Sequence, residues 1–405
     1  MKPTAPGLYV HVPFCTVRCS YCDFHVAGYR AAVAERYVDA LLEELAALEG
    51  EGFRPRTIFI GGGTPSVLPP DAWGRLLRFL GRAFGGDDLE EWTVEANPGT
   101  IDREKAEIAR EAGVDRISTG AQTFSAEGLQ VLGREHGPEV VAGAHALLRE
   151  AGFERLSLDL IIGWPGQTAA AVDEDLRRVR EIDPGHVSLY HLSYEEGTAL
   201  DRQRRAGRVE PLPDPEVITL ARRALSGLRE AGYARYEVSN LCRSGEESLH
   251  NLNYWLRGGY RGVGSGAANF AGGARWRNLA DVGGYIRAGG RPERVDVEEI
   301  GAVGALEERL FLSLRLERGL DIAEFEERAG ASLSAICGDA IDELVGDGLL
   351  VRGTDSLRAT ERGFEVLDAV ILKLWDGCDW EEARIDGDTG PDDASPAGAS
   401  PRLDR

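Results

Sequence analysis

From Leu8 to Val238 the chain alternates short apolar runs with longer amphipathic stretches. The runs LYVHV (8–12), TIFIG (57–61), WTVEA (92–96), RISTG (116–120), LSLDLII (156–162) and HVSLY (186–190) have the length and composition of strands. Between them, AERYVDALLEELAALE (34–49), DREKAEIAREAG (102–113) and AAAVDEDLRRVREI (169–182) set apolar residues on one helical face. Six strand–helix units in succession predict an α/β fold: a parallel sheet with right-handed crossovers, two units short of a full barrel. In such folds chemistry gathers at the C-terminal ends of the strands.

Beyond this region, residues 214–231 read as a further helix and YEVSN (236–240) as a short strand. Residues 241–300 are Gly-rich and read as an irregular connection containing HNLNYW (250–255) and GVGSGAANF (262–270). Residues 301–375 read as a small helical, winged-helix-like domain with a hairpin, LLVRG (349–353) and LRATE (357–361). From 376 to 405 the Gly, Asp, Pro and Ala content predicts a disordered acidic tail.

Charge narrows the choice of partners. The chain of 405 residues carries a formal net charge of −22, which speaks against a nucleic-acid or anionic-membrane partner. Over 304–375 acidic residues outnumber basic ones 15 to 8, so a DNA-binding wing is not expected. No apolar run reaches membrane-spanning length, and MKPTAPGLYV lacks the apolar core of a signal peptide; a cytoplasmic protein is expected. Half of the six cysteines crowd into one loop, a pattern that suits a metal or cluster site in a reducing compartment better than a disulfide framework.

The chemistry-bearing residues follow the predicted strands. After the first comes HVPFCTVRCSYCDF (11–24), with Cys15, Cys19 and Cys22 spaced C-x3-C-x2-C. Three thiolates suit an iron–sulfur cluster with one iron left open. A zinc site would need His11 or His25 as a fourth ligand. After the second strand comes GGGTPS (61–66), whose glycines let backbone groups approach a polar ligand or simply make a tight turn. Glu95, Gln122, Arg134 and Asp159 mark strand ends where each is either locally paired or, together, part of a ligand site. In HNLNYW, His250 is a candidate iron ligand or a hydrogen-bonded structural residue, and Tyr254 and Trp255 could stack on a flat ligand.

These residues, with Tyr21 before the third cysteine and with VEANP (94–98), GVDRISTGAQTF (113–124), LGREH (132–136) and DLIIGWPGQT (159–168), resemble the radical S-adenosylmethionine superfamily. Within it the chain is most similar to the coproporphyrinogen III oxidase-like branch, in particular HemW-type haem chaperones, over about Tyr9 to Trp375. The resemblance implies a partial (β/α)6 barrel in which Cys15, Cys19 and Cys22 hold a [4Fe–4S] cluster. It implies that Tyr9, Tyr21, Gly62, Gly63, Thr64, Glu95, Gln122, Arg134 and Asp159 surround S-adenosylmethionine, and that His250 is a candidate haem contact. Haem, client haemoproteins and an electron donor are the partners it implies. Oxidases of the branch resemble C-x3-C-x2-C-x-C; here the last position is Phe24. That favours the chaperones over oxygen-independent oxidation of coproporphyrinogen III. Trp164 and His25 depart from the usual pattern without touching the expected ligand set.

Overall fold

The computed structural model describes residues 6–383. Six strands alternate with helices along the first half: β1 (Gly7–Val12), α1 (Ala31–Gly50), β2 (Thr57–Gly62), α2 (Pro70–Phe84), β3 (Glu91–Ala96), α3 (Arg103–Ala112), β4 (Arg116–Gln122), α4 (Pro138–Glu150), β5 (Arg155–Ile162), α5 (Ala169–Ile182), β6 (His186–His191) and α6 (Asp214–Glu230). All six strands pair in parallel, in chain order. Local sequence sets the helix ends. Asp102 caps α3 by accepting from the N–H of Lys105, and Gly113 ends it in the left-handed region at φ 104°. Thr168 caps α5, whose Val172, Leu176, Val179 and Ile182 form one buried stripe.

The outward face of the sheet packs on the helices through Leu8, Val10, Ile58, Ile60, Trp92 and Val94, all at most 1% exposed. The inward face is polar. Glu91, Thr93 and Glu95 alternate with apolar neighbours along β3, as do Arg116, Ser118 and Gln122 along β4. A polar barrel interior is costly for stability alone and is what a ligand site requires.

Residues 241–300 correct the expectation of an irregular connection. After β7 (Ala234–Arg235) and β8 (Asn240–Cys242) comes a helix, α7 (Leu249–Trp255), then β9 (Tyr260–Val263), β10 (Ala268–Ala271), β11 (Ala274–Asn278) and β12 (Arg294–Glu299). The short strand expected at 236–240 is replaced by the β7 and β8 pair on either side of it. Strand β9 joins β1 in parallel and β10 to β12 follow antiparallel, giving a 12-stranded sheet of order β12-β11-β10-β9-β1-β2-β3-β4-β5-β6-β8-β7 with two free ends. The glycines that hid these strands serve geometry. Gly272 and Gly273, at φ 61° and 75°, make the two-residue turn between β10 and β11.

The C-terminal domain comprises α8 (Ala302–Ser313), a two-residue strand β13 (Leu320–Asp321), α9 (Ile322–Ala329), α10 (Leu333–Gly346), the hairpin β14 (Leu350–Arg352) and β15 (Ser356–Ala359), and α11 (Leu367–Gly377). Leu310, Leu314, Phe325, Ile341, Leu357 and Leu374 form its own core. It docks on the barrel through Arg235, whose guanidinium lies 3.8 Å from the Phe364 ring centroid and 2.8 Å from Glu317.

Two further expectations change here. The disordered tail was expected from residue 376, but α11 runs to Gly377 and a short 3-10 turn follows at Trp380–Glu382; residues 384–405 lie outside the described residues. Cys337 and Cys378 form a disulfide that joins α10 to this extension, although the cysteine pattern spoke against such bridges. The bridge was illegible because the two residues lie 41 positions apart in unremarkable sequence. No helix among the described residues is long and apolar enough to cross a membrane.

Candidate functional site

A cavity of about 370 Å³ opens at the C-terminal ends of all six strands. Cys15, Cys19, Tyr21 and Cys22 enter it from the loop after β1, Gly62 to Thr64 from β2, Glu95 and Asn97 from β3, Ser118 and Gln122 from β4, Asp159 from β5, and Tyr190 from β6. Of the twelve residues expected around cluster and S-adenosylmethionine, Tyr9 is the one that does not line this cavity. Its hydroxyl lies 2.9 Å from His11 Nδ1, and its ring stacks on Phe59.

The cysteine loop is held from several sides. Cys15 Sγ lies 3.6 Å from Thr64 Oγ1. Arg134 Nη1 donates to Cys19 Sγ at 3.4 Å, while its Nη2 donates to the Gly120 carbonyl at 2.7 Å. Ser20 receives the Leu200 N–H at 2.7 Å. Burial pushes the thiols of Cys15 and Cys22 up, so metal binding here releases protons.

The glycine run is required by close packing. Gly62 sits at φ 108°, and a Cβ there would fall 2.4 Å from the His11 ring. A Cβ on Gly61 would meet Glu95 Oε2 at 2.7 Å. Gln122 has φ 69° at a bulge in the β4–β5 pairing, an uncommon backbone state for a side-chain-bearing residue.

Two carboxyls at the cavity floor have neutral donors only. Glu95 Oε2 accepts the Gly62 N–H at 3.3 Å, and Asp159 Oδ1 accepts from Ser118 Oγ at 3.2 Å. Burial, then the neighbouring Asp159, pushes Glu95 up to about 8; burial also raises Asp159. A cationic ligand would relieve both.

The donor set suits the groups that the sequence resemblance implies. A sulfonium and an ammonium suit Glu95 and Asp159; a ligand carboxylate suits Arg134. For zinc, the fourth ligand is the difficulty. His11 donates from Nε2 to the His25 carbonyl at 3.0 Å, so its Nδ1 accepts from Tyr9, and burial lowers its pKa to about 4. His25 Nε2 is engaged with Ser265 Oγ at 3.0 Å. Among the described residues no three His, Cys, Asp or Glu side chains converge as one metal ion requires. Three thiols entering one cavity from a single loop suit a cluster better than zinc, which lacks its fourth ligand here.

HNLNYW lies elsewhere. It forms α7 at the N-terminal ends of β1 to β3, the opposite end of the barrel. His250 is 1% exposed, with Nδ1 2.8 Å from Thr57 Oγ1 and Nε2 2.8 Å from Tyr254 Oη; both ring nitrogens are committed. Its ring stacks on Phe59 at 5.2 Å. The helix is anchored by Glu91, which accepts the N–H groups of Leu249 and His250 and is paired with Arg155 at 3.1 Å. Burial opposes the Glu91 charge, but Arg116 and Arg155 hold its carboxyl below the usual range. Trp255 instead faces a separate cleft of about 290 Å³ against the C-terminal domain.

Ser118 and Tyr190 line the cavity and were not anticipated; for Ser118 the signal was the polar alternation Arg116, Ser118, Gly120, Gln122 in an otherwise buried strand. The unusual Trp164 is buried behind the cavity against Leu132 and Ile161, with Gly128 leaving room for its ring.

A parallel β/α sheet with three cysteines at its rim is the architecture of radical S-adenosylmethionine proteins, and residues 9–179 match the radical SAM superfamily. Residues 304–366 match the HemN C-terminal domain. The fold is similar to that of coproporphyrinogen III oxidase (HemN) from Escherichia coli, with a TM-score of 0.80 at 22% identity over 92% of this chain and 90% of that one. Similarity in sequence is greater to proteins named heme chaperone HemW. It is 36% over 366 residues with that of Lactococcus lactis (90% of this chain, 96% of the relative) and 37% over 382 residues with that of Mycobacterium tuberculosis H37Rv (91% and 94%). The chain belongs to the HemW family.

Proposed function

We propose that this protein is a cytoplasmic haem chaperone that holds a [4Fe–4S] cluster and S-adenosylmethionine and passes haem to client haemoproteins. The observation that carries this is the likeness to heme chaperones over nine-tenths of the chain, joined to Phe24 at the position where a fourth cysteine would mark the oxidases.

Cys15, Cys19 and Cys22 would hold the cluster, which supplies reductive chemistry at the ligand sulfonium when bound. The chain's own part is positioning. Arg134 orients Cys19 and offers its guanidinium to a carboxylate. Glu95 and Asp159 offer charge to a cationic ligand. Gly62 and Gly63 let the backbone come close, and a ligand filling the cavity displaces bulk water from it. Haem contact by HNLNYW, as the family resemblance implies, requires the His250–Tyr254 hydrogen bond to open.

The test is anaerobic loading with iron and sulfide, then haem titration with and without S-adenosylmethionine. Stoichiometric haem binding and transfer to an apo-haemoprotein are expected. Formation of protoporphyrinogen from coproporphyrinogen III would overturn the chaperone reading.

A further inference from the structure

The middle of the cysteine loop rests on the segment that ends in LGREH (132–136). Ser20 donates its N–H to the Leu132 carbonyl at 3.1 Å and its hydroxyl to the Val131 carbonyl at 2.7 Å. Gly133, at φ 69°, lets the two backbones meet; a Cβ there would lie 3.0 Å from the Ser20 nitrogen. Arg134 and His136 follow on the same segment, and only Arg134 of the two lines the cavity.

All three nitrogens of the Arg134 guanidinium are held. Nη1 donates to Cys19 Sγ at 3.4 Å, Nη2 to the Gly120 carbonyl at 2.7 Å, and Nε to His136 Nε2 at 3.2 Å. An arginine Nε can only donate, so the last contact fixes the tautomer of His136. Its Nε2 carries the lone pair, and its Nδ1–H faces the Gly137 carbonyl at 3.3 Å. The ring is 8% exposed. Burial and the Arg134 charge both oppose a second proton on it, which keeps the acceptor in place. Cys19 thus has a cationic donor, where Cys15 faces the neutral hydroxyl of Thr64.

We propose that His136 is a positioning residue that acts through Arg134 to raise the reduction potential of the cluster held at Cys19. This rests on the reading of the cavity as a [4Fe–4S] site. Reduction adds one electron to the cluster and so one negative charge, part of which lies on the sulfur ligands. An N–H donor carrying positive charge stabilises that reduced form more than the oxidised one. A guanidinium on an untethered stem would spread over several orientations. Fixing Nε at His136 and Nη2 at Gly120 aims Nη1 at Cys19, and one N–H on each Nη stays available to a ligand carboxylate.

The experiment is a redox titration of the full-length, cluster-loaded protein with dithionite, which supplies the electron, followed by electron paramagnetic resonance. His136→Leu keeps the bulk and removes the acceptor; His136→Gln offers an amide oxygen to Arg134 Nε. At a fixed potential the ratio of reduced to oxidised cluster should fall about tenfold in His136→Leu, a lowering of about 59 mV for a one-electron couple. His136→Gln should restore the wild-type value. Arg134→Met should fall at least as far as His136→Leu, and adding His136→Leu to it should change nothing more, because the histidine works through the arginine. A wild-type potential in His136→Leu or Arg134→Met, an equal fall in His136→Leu and His136→Gln, or a further fall in the double variant overturns the proposal. Loss of the cluster from both His136 variants overturns it as well, since a positioning residue leaves the three thiolates in place. Iron and sulfide content of the wild-type protein reads the cluster assignment separately.

Discussion

Arg134 joins the middle cysteine of the loop to the barrel, donating to Cys19 Sγ at 3.4 Å and to the Gly120 carbonyl at 2.7 Å. Cys19 is thus positioned from the protein side before any ligand arrives. Replacing it by alanine removes one of three thiolates at little cost to packing, because the side chain is only half-buried. Cys19→Ala should lose the cluster while the fold stays intact. Iron and sulfide analysis with circular dichroism checks this; full iron content in the variant would falsify the ligand assignment.

Glu95 yields a pH prediction. Its carboxyl ionises near 4.5 in an unfolded chain and near 8 in the folded one. Between those values the folded protein keeps a proton that the unfolded chain has lost. The associated stability is complete below pH 4.5 and is lost as pH rises through 8. Glu95→Gln removes this dependence, so the unliganded variant should lose less Tm than wild type between pH 5 and 8. The same change should weaken S-adenosylmethionine binding by about tenfold or more, since a charge-assisted contact disappears. Parallel Tm profiles for the two proteins would count against the assignment.

Gly62→Ala tests the close approach at the end of β2. The substitution places a methyl group 2.4 Å from the His11 ring at a backbone angle of φ 108°. Destabilisation of about 2–4 kcal/mol is expected, from strain and overpacking together. Chemical denaturation measures it.

His250→Ala deletes two side-chain hydrogen bonds and the stack on Phe59. The unfolding free energy should fall by about 2–4 kcal/mol with cluster content unchanged. Haem affinity measured beside stability separates the possible roles. A loss of affinity without a loss of stability would argue for direct contact.

The Cys337–Cys378 bridge closes a separation of 41 residues. Reduction should lower the stability of the C-terminal domain by about 2–4 kcal/mol and leave the cluster cavity untouched. Thermal unfolding with and without thiol, beside a Cys337→Ser/Cys378→Ser variant, checks the pairing.

The barrel strands were legible because their apolar positions pack outward on helices, giving compact runs such as TIFIG and LSLDLII. The cavity residues were legible where a rare pattern marked them, as in C-x3-C-x2-C and GGGTPS. Ser118 and Tyr190 carried no such mark; only their inward register identifies them. The β9 to β12 extension escaped because its glycines serve tight contacts. At Gly262, for example, a Cβ would lie 2.0 Å from the Ala268 carbonyl oxygen, and the same residue type reads as loop. HNLNYW stands out in the sequence, yet its position depends on Thr57 and Glu91, residues over 150 positions away that no local pattern connects to it.

The anchoring of α7 by Glu91 plugs the N-terminal ends of β1 to β3. With that end filled by His250 and its partners, the cavity lies at the other end of the strands, beside Cys15, Cys19 and Cys22. A ligand that fills the cavity is therefore approached from the side that carries the three thiols.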